Sequence, residues 1–321
     1  VLRVLFMLVG VLAASAADAQ ELVLLGGATH NDDLSAPTYG WAVEYAQGLG
    51  EHPYVTLAWL NEGHFQDHHR DGPAAQLWGR ANLLRRRLSL CFGVGPYSYF
   101  DTAQAEQGAS YANDHGWGVI FSAGLTWYTD RRWLFNLRVN RIETQTNVDT
   151  TMVLLGAGYQ LDAPAVPGPR RTAPRVAQQT PRNQVVLFLG QTILNSYESE
   201  NSTAAAAEYR LGLGRYVDWT AGWLHEGGNH IIRREGVTTQ FWLARPFFRD
   251  HLTLGVGAGA YFVVSQENDD SGDDERVSGI LTLTGSYRFD PHWVARLSWD
   301  RVVTRYDRDT DVILFGGGYS F

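Results

Sequence analysis

The 321-residue chain carries 26 Lys and Arg against 34 Asp and Glu, a formal charge of −8, and one cysteine, Cys91. The acidic balance argues against a nucleic-acid partner, which favours a basic surface, and a lone thiol excludes an internal disulfide. The 34 Gly, 11 Trp and 15 Tyr suit a strand-rich protein, and beyond the N-terminus no apolar run is long enough for a membrane helix.

The chain opens VLRVLFMLVGVLAASAADAQ. One Arg, a short apolar run and small residues ending Ala17-Asp18-Ala19 are the pattern of a secretory signal peptide cut before Gln20. Residues 1–19 are assigned to it, residues 20–162 to a first unit and residues 184–321 to a second. Between the units, residues 163–183 are rich in Pro and polar residues and lack apolar periodicity, so they read as an extended linker. No nucleotide, haem or flavin motif is present.

The two units are copies. EYAQGLG at Glu44 is echoed by EYRLGLG at Glu208, and WLNEG…RDG…QLW by WLHEG…REG…QFW, at a constant offset of 164 residues. DRRWLFNLRVNRIET at Asp130 matches DPHWVARLSWDRVVT at Asp290, and VLLGAGYQL matches VILFGGGYSF. So ordered a set of matches is a duplication.

Each unit contains about eight strand-like segments, and those of the second begin near Val185, Ala204, Asp218, Val237, His251, Arg276, His292 and Asp311. Short turns such as RFDPHW alternate with long polar loops such as VSQENDDSGDDER. Short turns at one end and long loops at the other describe a transmembrane barrel of even strand number. Trp133, Phe135, Leu137 and Val139 share one face, opposite Asn136, Arg138 and Asn140, with Trp293 to Asp300 patterned likewise. A soluble sandwich also alternates, but here aromatics sit near the strand ends of the apolar face and charges occupy the other.

The chain ends Gly316-x-x-Tyr319-x-Phe321, and the first unit closes on Gly156-x-x-Tyr159-x-Leu161. This resembles the C-terminal targeting strand of bacterial outer-membrane proteins, and each unit is similar to a complete small barrel of the outer-membrane protein A transmembrane type. The resemblance implies an all-β fold of tandem eight-stranded antiparallel barrels, residence in the outer membrane among lipid and lipopolysaccharide, and recognition by the barrel-assembly machinery through the strand ending Phe321. A single sixteen-stranded barrel is the alternative, and would make a porin-like channel.

An eight-stranded interior is just wide enough for side chains to fill. Alternation places Glu44, Glu62, Gln76, Trp78 and Arg80 inward in the first unit, and Glu208, Glu226, Gln240 and Trp242 in the second. Buried carboxylates require partners, for which Arg80, Arg138 and Arg296 are the candidates. Cys91 also points inward, as an inert thiol.

The densest polar cluster is GHFQDHHRD, read as the second long loop between a third strand ending at Glu62 and a fourth starting near Gly72. Its histidines align with Gly228, Ile232 and Arg233 of the second unit, so the fold does not require them. Three readings stand: solvated loop residues; a divalent-metal site of His64, His68 or His69 with Asp67; or a catalytic histidine at the rim, His64 or His115. Lipid A deacylases, which resemble this chain in being eight-stranded outer-membrane barrels, use a His-x-Ser pair; no His-x-Ser occurs here. The acidic run Glu267 to Glu275 offers oxygen ligands without the spacing of a calcium loop. Arg141 and Arg301, equivalent in the two units, fall on the outward phase near strand ends, where an Arg costs only about 0–1 kcal/mol, and are expected to contact lipopolysaccharide phosphates.

Overall fold

The computed structural model describes residues 18–31, 37–65, 68–103, 111–145, 148–161, 166–169, 183–196, 198–213, 216–228, 233–248, 250–266 and 276–321. Most of the expected signal peptide, Asp67, most of the linker and the acidic run Glu267 to Glu275 lie outside the described residues.

The first unit comprises β1 (Asp18–Asn31), β2 (Thr38–Gly48), β3 (Pro53–Phe65), β4 (His68–Leu83), β5 (Leu88–Ala103), β6 (Ala112–Tyr128), β7 (Trp133–Thr144) and β8 (Thr150–Gln160). The second comprises β9 (Asn183–Leu194), β10 (Asn201–Gly212), β11 (Val217–His225), β12 (Arg234–Phe247), β13 (Leu252–Gln266), β14 (Val277–Arg288), β15 (Trp293–Val303) and β16 (Thr310–Ser320). Each set forms a closed, all-antiparallel barrel. In the first, β8 returns to β1 from Glu21↔Gln160 to Asn31↔Thr150. In the second, β16 returns to β9 from Thr310↔Leu194 to Ser320↔Gln184. The sixteen-stranded alternative is thereby corrected: β7 and β1 occupy both edges of β8, leaving no backbone groups to pair with β9.

Closure fixes the two faces of every strand. On β7, Trp133, Phe135, Leu137 and Val139 are exposed while Asn136, Arg138 and Asn140 are buried, as the alternation requires. The exposed band continues through Leu24, Leu77, Phe92, Phe121 and Leu155 in the first barrel and Leu187, Leu189, Phe241, Leu297 and Phe315 in the second. The cores lie in the lumens, where Leu134, Ile142, Met152 and Leu154 of the first barrel and Val186, Val302, Val312 and Leu314 of the second are almost fully buried. Apolar residues are thus distributed to both faces, but charged residues with buried side chains are gathered inward. This is the inverse of a soluble barrel's surface.

The histidine-rich stretch is where the sequence reading is corrected most. The third and fourth strands do not stop at Glu62 and Gly72; they run on to Phe65 and from His68. His64 pairs with His69 and Phe65 with His68, after a one-residue register shift beyond Asn61. The shift turns on Gly63, whose φ is +83° and where a Cβ would lie 2.0 Å from the Tyr39 carbonyl oxygen. Only glycine fits such a bulge without strain. Gly227, its counterpart, has φ +84° and the same close approach to the Thr203 carbonyl. There β11 ends at His225 and β12 starts at Arg234. The left-handed glycine is common to both barrels; the bulge beside it and the extended hairpin are seen in the first.

Because each barrel satisfies its own strand edges, each half folds alone. Residues 18–175 and 183–321, expressed separately and refolded in detergent, will each give β-rich circular dichroism and a heat-dependent shift in electrophoretic mobility. A half that stays aggregated until the other is added would show that closure needs both.

Candidate functional site: lumen ion pairs and a histidine hairpin

Two charged layers cross each lumen. Near the long-loop end of the first barrel, the Arg70 guanidinium forks onto Glu62, with Nε donating to Oε1 at 2.7 Å and Nη2 to Oε2 at 2.6 Å. Arg70 also donates to the Val148 carbonyl at 2.7 Å, and the Thr150 hydroxyl donates to Glu62. Both side chains are almost completely buried. The second barrel repeats this set: Arg234 donates to both oxygens of Glu226 at 2.8 Å and to the Arg308 carbonyl at 3.1 Å, while the Thr310 hydroxyl donates to Glu226 at 2.5 Å. A bidentate pair with its remaining acceptor positions filled is the geometry in which a buried pair offsets its desolvation.

The second layer lies nearer the short turns. Arg138 forks onto Glu44 and sits over the Trp78 ring, 4.6 Å from its centroid. Trp78 Nε1 donates to the Thr56 hydroxyl at 2.9 Å. In the second barrel Trp242 donates likewise to Thr220, but the cation on its face is Arg210, 4.4 Å away. Arg296 there pairs with Glu208 and Gln184, and Arg210 bridges Glu208 and Asp218 at 3.6 Å each. Gln76 donates to Ser122 at 2.9 Å, and Gln240 accepts from Thr282 at 3.0 Å.

The expected lumen residues Glu44, Glu62, Gln76, Arg80, Arg138, Glu226, Gln240 and Arg296 are all buried, and Glu208 is nearly so. Their pairing differs from expectation at three points. Glu62 and Glu226 are held by Arg70 and Arg234, which were not among the expected lumen cations. The repeated Glu-x7-Arg spacing was the signal for both. Among the described residues Arg80 holds no carboxylate; it donates to the carbonyls of Glu51 and Gly50 at 3.0 and 3.2 Å, bracing the β2–β3 turn. Cys91 faces inward and is buried with Ala46, Tyr54 and Trp78.

No protein-family model and no curated protein sequence matches the chain. Among solved structures it is similar to Neisserial surface protein A, at 9% identity over 46% of this chain and 97% of that one, with a TM-score of 0.37. It is also similar to the N-terminal β-barrel domain of Pseudomonas aeruginosa OprF (11%, 45% and 98%, TM-score 0.34). A third is Ail, the attachment invasion locus protein of Yersinia pestis, solved with the heparin analogue sucrose octasulfate (15%, 44% and 99%, TM-score 0.34). The chain itself holds two closed eight-stranded antiparallel barrels in tandem.

At the rim of the first barrel the hairpin divides its histidines between the faces. His64 and His69 lie on the outward face with rings stacked, centroids 4.1 Å apart and 3° from parallel. His64 Nδ1 hydrogen-bonds the Tyr39 hydroxyl at 2.6 Å, and His69 Nε2 the Asn61 amide at 3.0 Å. His68 points inward to Asp101, 2.7 Å away. His115 is outward and exposed on β6, its ring edge-on to Phe100. Among the described residues no three His, Cys, Asp or Glu side chains converge on a metal position. Parallel stacked imidazoles do not aim their lone pairs at a shared ion, so the pair reads as an aromatic platform. The rim arginines also differ. Arg141 keeps a third of its side chain exposed beside Asp149 at 3.3 Å, whereas Arg301 is drawn onto Asp311 at 2.7 Å and is 5% exposed. The two equivalent arginines thus differ in how much of the side chain is left exposed.

Removing one partner of a buried pair leaves the other charge uncompensated, at a cost of about 3–5 kcal/mol. Arg70→Met and Glu62→Gln are each expected to lower the unfolding free energy of the first barrel in urea, the former by that amount. The double variant Glu62→Gln/Arg70→Met will recover most of it, read as a coupling energy in a double-mutant cycle. Additive losses would show that the fork contributes nothing as a pair.

Proposed function

We propose that this chain is an exported, integral outer-membrane protein without an open diffusion pore, whose role is structural or exercised through the surface at its long-loop end. The observation that carries the reading is the inversion of the two faces. A belt of exposed Leu, Phe, Val and Trp circles each barrel, while the Glu–Arg pairs are buried inside. A belt of that extent needs a lipid environment. Paired side chains spanning an eight-stranded lumen leave no continuous water path.

The long-loop end is then extracellular, and the short turns and linker periplasmic. Recognition by the barrel-assembly machinery through β16 and the exposed Phe321 belongs to the same proposal, as does contact between Arg141 and lipopolysaccharide phosphate. Purified protein in planar bilayers will give no sustained unitary conductance; porin-like steps would overturn the closed-lumen reading. Arg141→Glu is expected to reduce lipopolysaccharide co-purification severalfold with unchanged heat-modifiable mobility. Unchanged lipopolysaccharide would remove the contact.

One observation favours a second reading, a lipid A-modifying hydrolase. His64 and His115 sit on strands and face outward near the long-loop end, rather than in a loop. Mass spectrometry of lipid A from cells expressing wild type or His64→Ala separates the two. Loss of an acyl chain with wild type alone establishes the enzyme; spectra identical to the empty vector leave the rim as a binding surface.

A further inference from the structure

The linker was expected to be an extended spacer, yet four of its residues, VPGP at 166–169, are built against the short-turn mouth of the first barrel. Gly168 and Pro169 are buried there, while Val166 remains exposed. Two successive carbonyls are held by side chains of the barrel. Gln160 Nε2 donates to the Gly168 oxygen at 3.1 Å, and Arg86 Nη2 donates to the Pro169 oxygen. We propose that residues 166–169 are a lid, and that the mouth of the first barrel is an interaction surface whose partner is this Pro-Gly-Pro turn of the same chain.

Three features make the fit specific. Gly168 has φ +105°, and a Cβ there would lie 2.6 Å from the Arg86 carbonyl oxygen and 2.8 Å from the Arg86 Cβ. Only glycine meets both conditions. Pro167 and Pro169 carry no N–H, so the turn presents carbonyls to the mouth with few donors left to satisfy. Arg86 is itself held in place by a tight turn in which Leu84, Arg85 and Arg86 all have left-handed φ.

The clasp is not part of the repeated frame. At the equivalent positions the second barrel has Asp250 for Arg86 and Ser320 for Gln160, although the turn hydrogen bonds are retained: Tyr128 N–H to the Arg87 carbonyl corresponds to Arg288 N–H to the His251 carbonyl. Donors for two carbonyls appear only in the barrel whose last strand runs directly into this segment. Gln160 also donates to Glu21 at 3.3 Å, which accepts from the Tyr128 hydroxyl at 3.3 Å. The lid is therefore bonded to the floor of the lumen, and its seating closes that end.

The native thiol supplies the reporter, since Cys91 is the second inward residue of β5 from this mouth and is buried. Full-length protein in detergent is treated with a small methanethiosulfonate reagent, with heat-modifiable mobility confirming that each variant is folded. Seating of the lid is read from Pro169→Cys in a Cys91→Ser background. Its thiol will react slowly, and about tenfold or more faster once Arg86→Ala or Gly168→Val frees the turn. Sealing is read from Cys91 in the otherwise native chain, whose labelling will accelerate in Gly168→Val. Reaction of Pro169→Cys at the free-thiol rate with the clasp intact overturns the lid. An unchanged Cys91 rate on its release overturns the seal.

Discussion

In the lipid setting proposed for this chain, an apolar slab offers no water to an unpaired peptide group, and this requirement would order everything else in the molecule. Every strand must find both neighbours within the sheet, so the sheet must close. Closing after eight strands leaves an interior wide enough only for side chains. Whatever charge enters that interior must then meet its opposite there, because solvent cannot screen it. The Glu62–Arg70 and Glu226–Arg234 forks follow directly: each carboxylate accepts two guanidinium bonds and a threonine hydroxyl, so that few of its lone pairs remain unfilled.

The rim obeys a looser rule, and the two barrels diverge there. Both keep a left-handed glycine directly after the Glu that enters the lumen, Gly63 and Gly227. Past the bulge the first barrel continues as a ladder carrying Tyr39, His64 and His69 on one outward patch, while the second ends its ladder at His225. Among the described residues the stacked imidazole pair occurs in the first barrel alone, so closing a barrel of this kind does not require it.

Much of the fold was legible because period-two alternation and duplication are both local patterns. The strand starts near Val185, Asp218 and His292 fall within about two residues of β9, β11 and β15, as expected for element boundaries. The inward placement of Glu44, Trp78 and Cys91 followed from counting along one strand. What could not be counted was who meets whom across the barrel, because shear sets that and sequence does not print it. Hence Arg80 was assigned a carboxylate and holds a turn instead, while Arg70 was overlooked. The hairpin was missed for another reason: two polar histidine-bearing segments read as a loop, and cross-strand ring stacking carries no sequence signature. The lid was hidden because Pro and Gly signal turns equally well in a free spacer and in a docked one.

The inner layer of charge was not copied between the halves as the outer layer was. Arg138 stands where the second barrel has Ser298, and Arg296 stands where the first has Asn136, so the cation that meets the equivalent glutamate has slipped by two residues along the strand. One polypeptide thus contains two sets of eight strands that share turns and belts but not the height of their internal charges. Either position reaches the equivalent glutamate, because the arginine side chain is long enough to span the two-residue difference. The constraint is that a cation meets the buried carboxylate, not which residue supplies it. The lumen therefore fixes a charge balance and leaves its address along the strand free to drift.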